Sequence, residues 1–567
     1  MEYKREISKI IFDYFSNKEI TEEKIYKSLE VPPNQDLGNY SLPCFFLSKL
    51  LKKSPVVIAK DLAGSLRSKD FEFFEVNGYL NIKINSFLLF KNTISDILNL
   101  KENFTKRNID SRTYVIDTFN PNPLKTLHVG HIRNAVTGQV VYNLLKEIGA
   151  NPKAVTYNGD VGTHVSKWLW YYYKFLEKNK KEIPKSYVSK WFGEIYISAG
   201  NKVAENPDIY KKEIDDLQVK LMTDESLQKD LKKFVTASFN SFLEVGKELG
   251  ITVDHTIFES QAEKKFLEIK TDLFKKYKDI FVEDDGAIVA DLGLKELGNF
   301  ILIKGNGALL YGAKDIGLIN LKKEKYPDCN DFLYVVACEQ DFYLKQLFRL
   351  FKFIYPNFNN LHISHGLINT PEGKMKSREG GMTLYEDFRD EVFTKVNKVL
   401  TENGLDSDQS TLKKISFGTI IFEMLKINTS KNLVFDLDVA TDLAGDSCSY
   451  VQYTGVRAKG ILEKANLSNI SLKDLSKATL ENEELLLINK FQELQEKIEY
   501  SARNYKPHII ANYALELAHL FNKFYTTCQV LVEDEAIKKN RVLIIKAYII
   551  VLTKTLSILG IEMPEKM

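Results

Sequence analysis

The sequence predicts a multidomain α/β chain: a doubly wound parallel sheet at the centre, a small α+β domain before it and an all-helical bundle after it. Three observations carry that reading. With 567 residues the chain is long enough for three or four domains of roughly 150 residues each. The stretch Tyr114 to Tyr157 reads strand, helix, strand, and such a βαβ unit implies a parallel sheet with ligands at the carboxyl ends of its strands. Beyond about residue 410 almost every segment has helical periodicity.

Element by element, residues 1–108 mix both patterns. Ser54-Pro55 before Val56, Val57, Ile58, Leu62 and Leu66 reads as a cap, an N1 proline and an amphipathic helix, and Leu80–Ile84 alternates as a half-buried strand. In the next block Tyr114–Thr118 is a strand. Ile132, Val136, Val140, Leu144 and Ile148 then recur every four residues until Gly149 caps the helix. Further strands are expected at Ala154–Tyr157, Ile301–Ile303, Phe332–Ala337 and His362–Ser364, interrupted by a helical, charged stretch from 165 to 250 that includes the run Lys178-Asn179-Lys180-Lys181. Helices then follow at Ile415–Leu425, Tyr450–Ala465, Glu483–Tyr505, Ile510–Tyr525 and Val542–Leu559, an arrangement that suits a bundle. The expected domains are 1–108, 109–400 and 401–567.

Composition bounds the function. Hydrophobic residues at 44% and charged residues at 27% are ordinary globular proportions, which excludes wholesale disorder. Lys+Arg 78 against Asp+Glu 76 leaves a net +2 and excludes a uniformly basic chain that coats nucleic acid by charge alone. Local basic patches stay open. The five cysteines (Cys44, Cys329, Cys338, Cys448, Cys528) include no CxxC pair, so they read as small core residues in a reducing compartment rather than as disulfides or zinc ligands. The N-terminus lacks a signal peptide's apolar segment, and runs such as Ala547–Leu552 fall far short of a membrane span. A soluble, cytoplasmic protein without a membrane partner is expected.

The sharpest chemical signal is Pro121-Asn122-Pro123-Leu124-Lys125-Thr126-Leu127-His128-Val129-Gly130-His131, between the first strand and its helix. His128 and His131 sit where a helix N-terminus favours anions, and Gly130 leaves room for a phosphate or nucleotide to approach. One histidine in a loop is usually ordinary surface; two around a glycine at a strand-to-helix turn reverse that weighting. A second loop, Glu372-Gly373-Lys374-Met375-Lys376-Ser377-Arg378-Glu379-Gly380-Gly381, sets three cations between glycines and ends at an expected capping box, Thr383 with Glu386. Alone it would read as a solvated charge run. Beside the histidines it suits clamping a leaving pyrophosphate.

Together these loops resemble the HIGH and KMSKS signatures of class I aminoacyl-tRNA synthetases. The segments Gly159-Asp160-Val161-Gly162-Thr163-His164, Glu259-Ser260-Gln261, Leu310-Tyr311-Gly312-Ala313-Lys314-Asp315, Gln340-Asp341, Asp36-Leu37-Gly38-Asn39-Tyr40, Tyr450-Val451-Gln452-Tyr453, Asn522-Lys523-Phe524-Tyr525 and Pro564-Glu565-Lys566-Met567 resemble the arginyl-tRNA synthetase family in particular. The resemblance implies an N-terminal domain for the tRNA elbow, a Rossmann-type catalytic domain and a helical anticodon-binding domain. It implies catalysis by His128, His131, Lys125 and Lys374, with Gly130, Met375, Lys376, Ser377 and Arg378 also at ATP. It places arginine against Asn122, Glu259, Tyr311, Asp315 and Gln340, and paired acids are what a planar guanidinium with five donors requires. Tyr450, Tyr453 and Met567 are implied for tRNA, the tyrosines as stacking platforms. The implied reactants are L-arginine, ATP and tRNA(Arg), with Mg²⁺ arriving on ATP rather than in a dedicated protein site, and a monomer is expected.

Two departures from the family pattern stand out. Ser377 occupies the place of the second lysine of KMSKS, and Lys125 is implied to supply the missing charge. Near Gln340 the sequence has Phe342-Tyr343 where many relatives carry a histidine, and Tyr343 is assigned no role. Other synthetases fit less well: a cysteine enzyme would carry zinc ligands, and the isoleucine, valine and leucine enzymes insert an editing domain where this chain needs the second half of its sheet. A buried polar pocket can reject analogues by roughly 10⁴ to 10⁵ without editing. Two rivals from other classes, a small-molecule nucleotidyltransferase and a catalytically silent tRNA-binding protein, would leave either the helical bundle or the histidine and lysine signatures without work.

Overall fold

Five strands, β1 (Thr113–Asp117), β2 (Asn151–Asn158), β3 (His255–Phe258), β4 (Asp331–Ala337) and β5 (Asn359–His365), form the central sheet in the order β5-β4-β1-β2-β3, every neighbouring pair parallel. The chain winds outward from β1 to β3 and then returns to β4 on the other edge of β1. The topological switch point therefore lies between β1 and β4, where Asp117 stands opposite Tyr334, and ligands of such sheets bind beyond the carboxyl ends of those two strands. The fold class read from the sequence is the fold observed.

The computed structural model describes residues 3–15, 19–32, 34–176, 182–221, 223–371, 373–374, 383–405, 408–464 and 469–567. By packing, the chain forms two compact units. One comprises Met1–Phe104, Arg457–Glu496 and Glu516–Leu552; the other comprises Thr105–Val456, Lys497–Leu515 and Thr553–Met567.

Four helices bear on the site: α1 (Val129–Glu147), α2 (Glu259–Lys276), α3 (Tyr311–Lys325) and α4 (Asp341–Ile354). The four-residue repeat of Ile132, Val136, Val140 and Leu144 is the buried face of α1, and Gly149, with φ 94°, follows its end. Between β2 and β3 stand the helices Thr163–Tyr171, Val188–Glu205, Pro207–Lys220 and Glu225–Glu248, where the charged insertion was expected. The charge run at 178–181 lies outside the described residues. The strand expected at Ile301–Ile303 exists as Phe300–Ile303 but joins a separate antiparallel sheet with Phe281–Asp284 and Ala287–Ala290, not the parallel one. The hairpin of Phe281–Asp284 with Ala287–Ala290 turns at Asp285-Gly286, whose φ values of 46° and 73° match the strand twist. β3 escapes periodicity because it has four residues, of which only Ile257 is buried.

In the first unit, Ser54 Oγ accepts the Val57 N–H at 3.4 Å and opens the helix Pro55–Ser65. A three-stranded antiparallel sheet of Tyr40–Pro43, Tyr79–Ile84 and Phe71–Val76 accompanies it, with Asn77-Gly78 (φ 52° and 83°) as the hairpin turn. The C-terminal part of the chain holds the long helices Cys448–Lys464, Asn482–Asn504, His508–Thr527 and Glu535–Leu559, each divided between the two units. The last is long and apolar enough to cross a membrane, yet 72% of its apolar window is buried inside the protein, as in a core helix. Four cysteines are buried as expected, whereas Cys338 is exposed, because it begins the short turn that leaves β4 at the switch point.

Candidate active site

The chain leaves β1 through Thr118-Phe119-Asn120-Pro121-Asn122. Both asparagines reach β2 and its exit: Asn120 Oδ1 accepts the Tyr157 N–H and Asn122 Oδ1 the Gly159 N–H, each at 2.8 Å. Leu124 follows at φ 61°, a costly conformation for a branched side chain, held by full burial and by donation of its amide to Ser238 Oγ at 2.9 Å. Lys125 is half-buried. Burial lowers its ammonium below the ordinary value, and Glu259 is the charge that opposes that shift.

His128 precedes α1 and His131 lies in its first turn, with ring centroids 3.8 Å apart and planes tilted by 34°. His131 Nδ1 accepts the backbone N–H of His128 at 3.4 Å, so the neutral ring carries its proton on Nε2. Burial pushes His128 down to about 4. Burial, then the charges of His128 and Lys125, hold His131 well below the usual histidine range. Both rings are therefore neutral at pH 7 and can serve as N–H donors, not as charges. A Cβ on Gly130 would meet the His128 ring at 3.0 Å, so what the glycine first admits is the neighbouring imidazole.

The two acids come together because α2 and α3 cross at bare backbone. A Cβ on Gly317 would lie 1.9 Å from the Ala262 carbonyl oxygen, so only glycine permits this approach. The crossing brings Glu259, at the start of α2, to Lys314 and Asp315, near the start of α3. Lys314 Nζ binds Glu259 Oε1 and also Glu263 Oε1, the latter at 2.6 Å. Glu259 Oε2 faces Gly159, where a Cβ would stand 2.7 Å from it and 2.8 Å from Asn122 Oδ1. Asn122 and Glu259 thus converge on a glycine that leaves them room.

Asp315 accepts the Tyr343 hydroxyl at Oδ2. Burial raises its carboxyl to about 6, with the Tyr343 bond and the charge of Lys322 acting in the opposite direction. Tyr311 is 71% exposed and meets the Tyr343 ring edge-on at 6.5 Å, and Gln340 is exposed at the N-cap of α4. Beneath this group Asp117, at the end of β1, and Lys322, on α3, form a buried ion pair with Lys322 Nζ 4.8 Å from the Tyr334 ring centroid. Neither residue of that pair nor the contacts of Lys314 and Tyr343 were read from the sequence. The spacing Lys314-Asp315 and Tyr343, three residues past Gln340, was the available signal.

Lys374 lies in a short strand opposite Asn369; Met375, Lys376, Ser377 and Arg378 lie outside the described residues. The chain is next fixed at Leu384, which pairs with His128, and at Tyr385, whose N–H donates to the Leu127 carbonyl at 3.0 Å. The expected Thr383–Glu386 capping box does not form. Leu384 is the N-cap, drawn into extended pairing with His128, and Glu386 is buried against another helix. There it accepts Ser189 Oγ and the Lys190 N–H (3.0 Å) at the start of Val188–Glu205, satisfying that helix's orphan donors.

In the helix Cys448–Lys464, Tyr450 is 7% exposed and packs as a core aromatic, so it offers no open ring face for a base, whereas Tyr453 is half-buried. The apolar side of that helix takes Tyr450 inward. Met567 is half-exposed as the last residue. Among the described residues no group of three or more His, Cys, Asp or Glu is placed to hold a metal ion.

Comparison with known proteins matches this geometry to a family. Residues 93–437 match "tRNA synthetases class I (R), catalytic domain", residues 451–567 the "DALR anticodon binding domain" and residues 1–84 the "Arginyl tRNA synthetase N terminal domain". The chain is 30% identical to an arginine–tRNA ligase of Clostridium botulinum and 29% identical to one of Clostridium perfringens, each alignment covering 100% of both chains. Among solved structures it shares its fold with Thermus thermophilus arginyl-tRNA synthetase at a TM-score of 0.79 and 21% identity, over 100% of both chains. The Plasmodium falciparum enzyme gives a TM-score of 0.77 at 20% identity, over 100% of this chain and 99% of the other. The chain belongs to the arginyl-tRNA synthetase family of class I tRNA synthetases.

Proposed function

We propose that this enzyme, an ATP-dependent arginine–tRNA ligase, performs both of its half-reactions beyond the β1–β4 switch point with the residues assembled there. A carboxylate oxygen of arginine bonds to the α-phosphorus of ATP as the bond to the bridging oxygen breaks and pyrophosphate leaves. The 2′-hydroxyl of the terminal adenosine of tRNA(Arg) then attacks the carbonyl of the adenylate, and AMP leaves. Asn122 and Gln340 serve the backbone groups of arginine, Glu259 and Asp315 its guanidinium, and Tyr311 flanks its side chain. Because their rings are neutral, His128 and His131 donate N–H bonds to the phosphates, whereas Lys125 and Lys374 supply charge. Met375, Lys376, Ser377 and Arg378 complete the ATP site, and Mg²⁺ accompanies the ATP phosphates.

The remaining assignments belong to the same reading. Residues 1–108 bind the tRNA elbow, 109–400 catalyse and 401–567 read the anticodon, with Tyr453 as the stacking platform and Tyr450 and Met567 in the same tRNA-binding role. The enzyme acts as a cytoplasmic monomer without a membrane partner. The observation that supports this best is the meeting at Gly159 of Glu259 with Asn122, whose loop also carries Lys125 and leads to His128. The test is aminoacylation of total tRNA with each of the twenty amino acids, together with amino-acid-dependent pyrophosphate exchange. Arginine alone should be charged; another amino acid, or none, would overturn the reading.

A further inference from the structure

We infer that Tyr343 is a positioning residue for arginine specificity, its hydroxyl fixing one oxygen of Asp315 so that the other faces the substrate. The inference deepens the reading of Asp315 as an arginine ligand and rests on it. Tyr343 lies in the first turn of α4, three residues after Gln340, and donates to Asp315 Oδ2. Asp315 Oδ1 has no hydrogen-bond partner among the described residues. The Tyr343 ring is itself held, against Phe300 at 5.8 Å and edge-on to the exposed Tyr311 at 6.5 Å. One side chain therefore touches both the acid and the aromatic flank of the proposed arginine site.

A guanidinium is a rigid fork whose recognition depends on carboxylate orientation as well as charge. A half-buried aspartate with free χ rotation could turn away or protonate. A phenol donating to one oxygen locks the rotamer and favours the ionised form, because the bond is stronger to a carboxylate than to a carboxylic acid. No other hydroxyl or cation bonds Asp315 among the described residues. The groups that face it electrostatically are Tyr343 on α4, Lys322 on its own helix, Asp117 on β1 and Glu259 on α2, and it bears in turn on Tyr157 of β2 and Tyr334 of β4. Of these, Lys322 is already committed to Asp117. Tyr343 is the donor left to orient the acid.

Tyr343→Phe removes the hydroxyl and keeps the ring packed on Phe300 and Tyr311, so the fold is preserved. In steady-state pyrophosphate exchange by the full-length enzyme, it should raise the KM for arginine roughly tenfold or more while the KM for ATP stays unchanged. The acid limb of kcat/KM for arginine should move to higher pH, because losing a donor to the carboxylate raises its pKa. Tyr343→His, which retains a ring with an N–H donor, should recover part of the loss. Asp315→Asn is the control. If Asp315→Asn raises the arginine KM and Tyr343→Phe moves neither that KM nor the acid limb, the inference is wrong and the arginine site stands. Equal rises in both KM values with a lowered Tm would assign Tyr343 a purely structural role and overturn it as well. If Asp315→Asn itself leaves the arginine KM unchanged, the underlying reading of Asp315 fails, and the inference with it.

Discussion

The imidazole of His131 receives the backbone N–H of His128 on Nδ1 at 3.4 Å, and this single contact fixes which nitrogen of His131 can act on a ligand. With Nδ1 occupied, the proton sits on Nε2 and the ring is a one-directional donor. The helix that begins here supplies the field, and the half-buried ring supplies a neutral donor that costs no counter-ion.

His131→Ala should remove that donor and slow adenylate formation roughly 10²- to 10³-fold, equivalent to about 2.7–4 kcal/mol by analogy with lost oxyanion-type donors. Because His131 is held well below the ordinary histidine range, the loss should be constant from about pH 6.5 to 8. Pyrophosphate exchange across that range, with melting curves alongside, checks both points. Full activity with lowered stability would make the residue structural, and a loss that shrinks as the pH rises would mean that the ring is charged in the working enzyme.

Asp315 sets a pH dependence of the opposite kind. Its carboxyl is raised to about 6. It is ionised above that value and neutral below it, so arginine use should fall as the pH drops through about 6. Asp315→Asn should abolish most of that limb, raise the arginine KM far more than the ATP KM and leave lysine a poor substrate. A wild-type acid limb that survives in Asp315→Asn would assign the titration to another group.

The capping role of Glu386 leads to a stability prediction. Its carboxylate satisfies Ser189 Oγ and the Lys190 N–H at the start of Val188–Glu205, and in that helix a Cβ on Gly193 would lie 3.3 Å from Thr126, on the histidine-bearing loop. Glu386→Ala should cost about 1–3 kcal/mol by leaving buried donors unmatched. Glu386→Gln, which keeps an acceptor, should cost less. Thermal melts of both variants decide it: equal losses would show that the acceptor is not what the site needs.

Much of this site was legible because the loops that carry it are contiguous. Asn122 to His131 is one run after one strand, and its chemistry depends on local spacing that a sequence displays directly. The four-residue repeat of α1 and the turn glycine Gly149 are local in the same way. What escaped is what the helix crossing creates. Lys314 between Glu259 and Glu263, Tyr343 on Asp315, and Lys322 on Asp117 join residues 28 to 205 positions apart, and no periodicity encodes such pairings. Glu386 misled for the same reason: S/T-x-x-E spacing states which cap is locally possible, and the strand-like pairing of Leu384 with His128 decided which one formed.

The two tyrosines of the helix Cys448–Lys464 should separate cleanly. Tyr453→Ala should raise the KM for tRNA by the loss of a stacking platform worth about 1–3 kcal/mol, with ATP binding unchanged. Tyr450→Ala, at a buried site, should instead lower thermal stability by about 3–5 kcal/mol, the range of large aromatic-to-alanine changes in cores. If Tyr450→Ala weakens tRNA binding with no loss of stability, the ring becomes exposed in the complex and both assignments change.

Lys125 faces a quantitative demand if, as proposed, the Lys374 loop serves the pyrophosphate, because Ser377 stands where the usual signature has its second lysine. Lys125 is half-buried, with Glu259 as the charge that sustains its ammonium. At an effective dielectric of about 20, a unit charge at about 4 Å interacts with a phosphate by roughly 4 kcal/mol before desolvation reduces it. Lys125→Ala should therefore cut adenylate formation at least about tenfold, with tRNA affinity little affected. In that background Ser377→Lys should restore part of the rate, since it rebuilds the ordinary signature. The measurement is a double-mutant cycle in pyrophosphate exchange on wild type, both single variants and the double. Coupling between the positions is the expected result, because both charges act on one phosphate. Strictly additive effects would mean that Lys125 serves another group, and Glu259, whose charge acts on it, would then be the first partner to test.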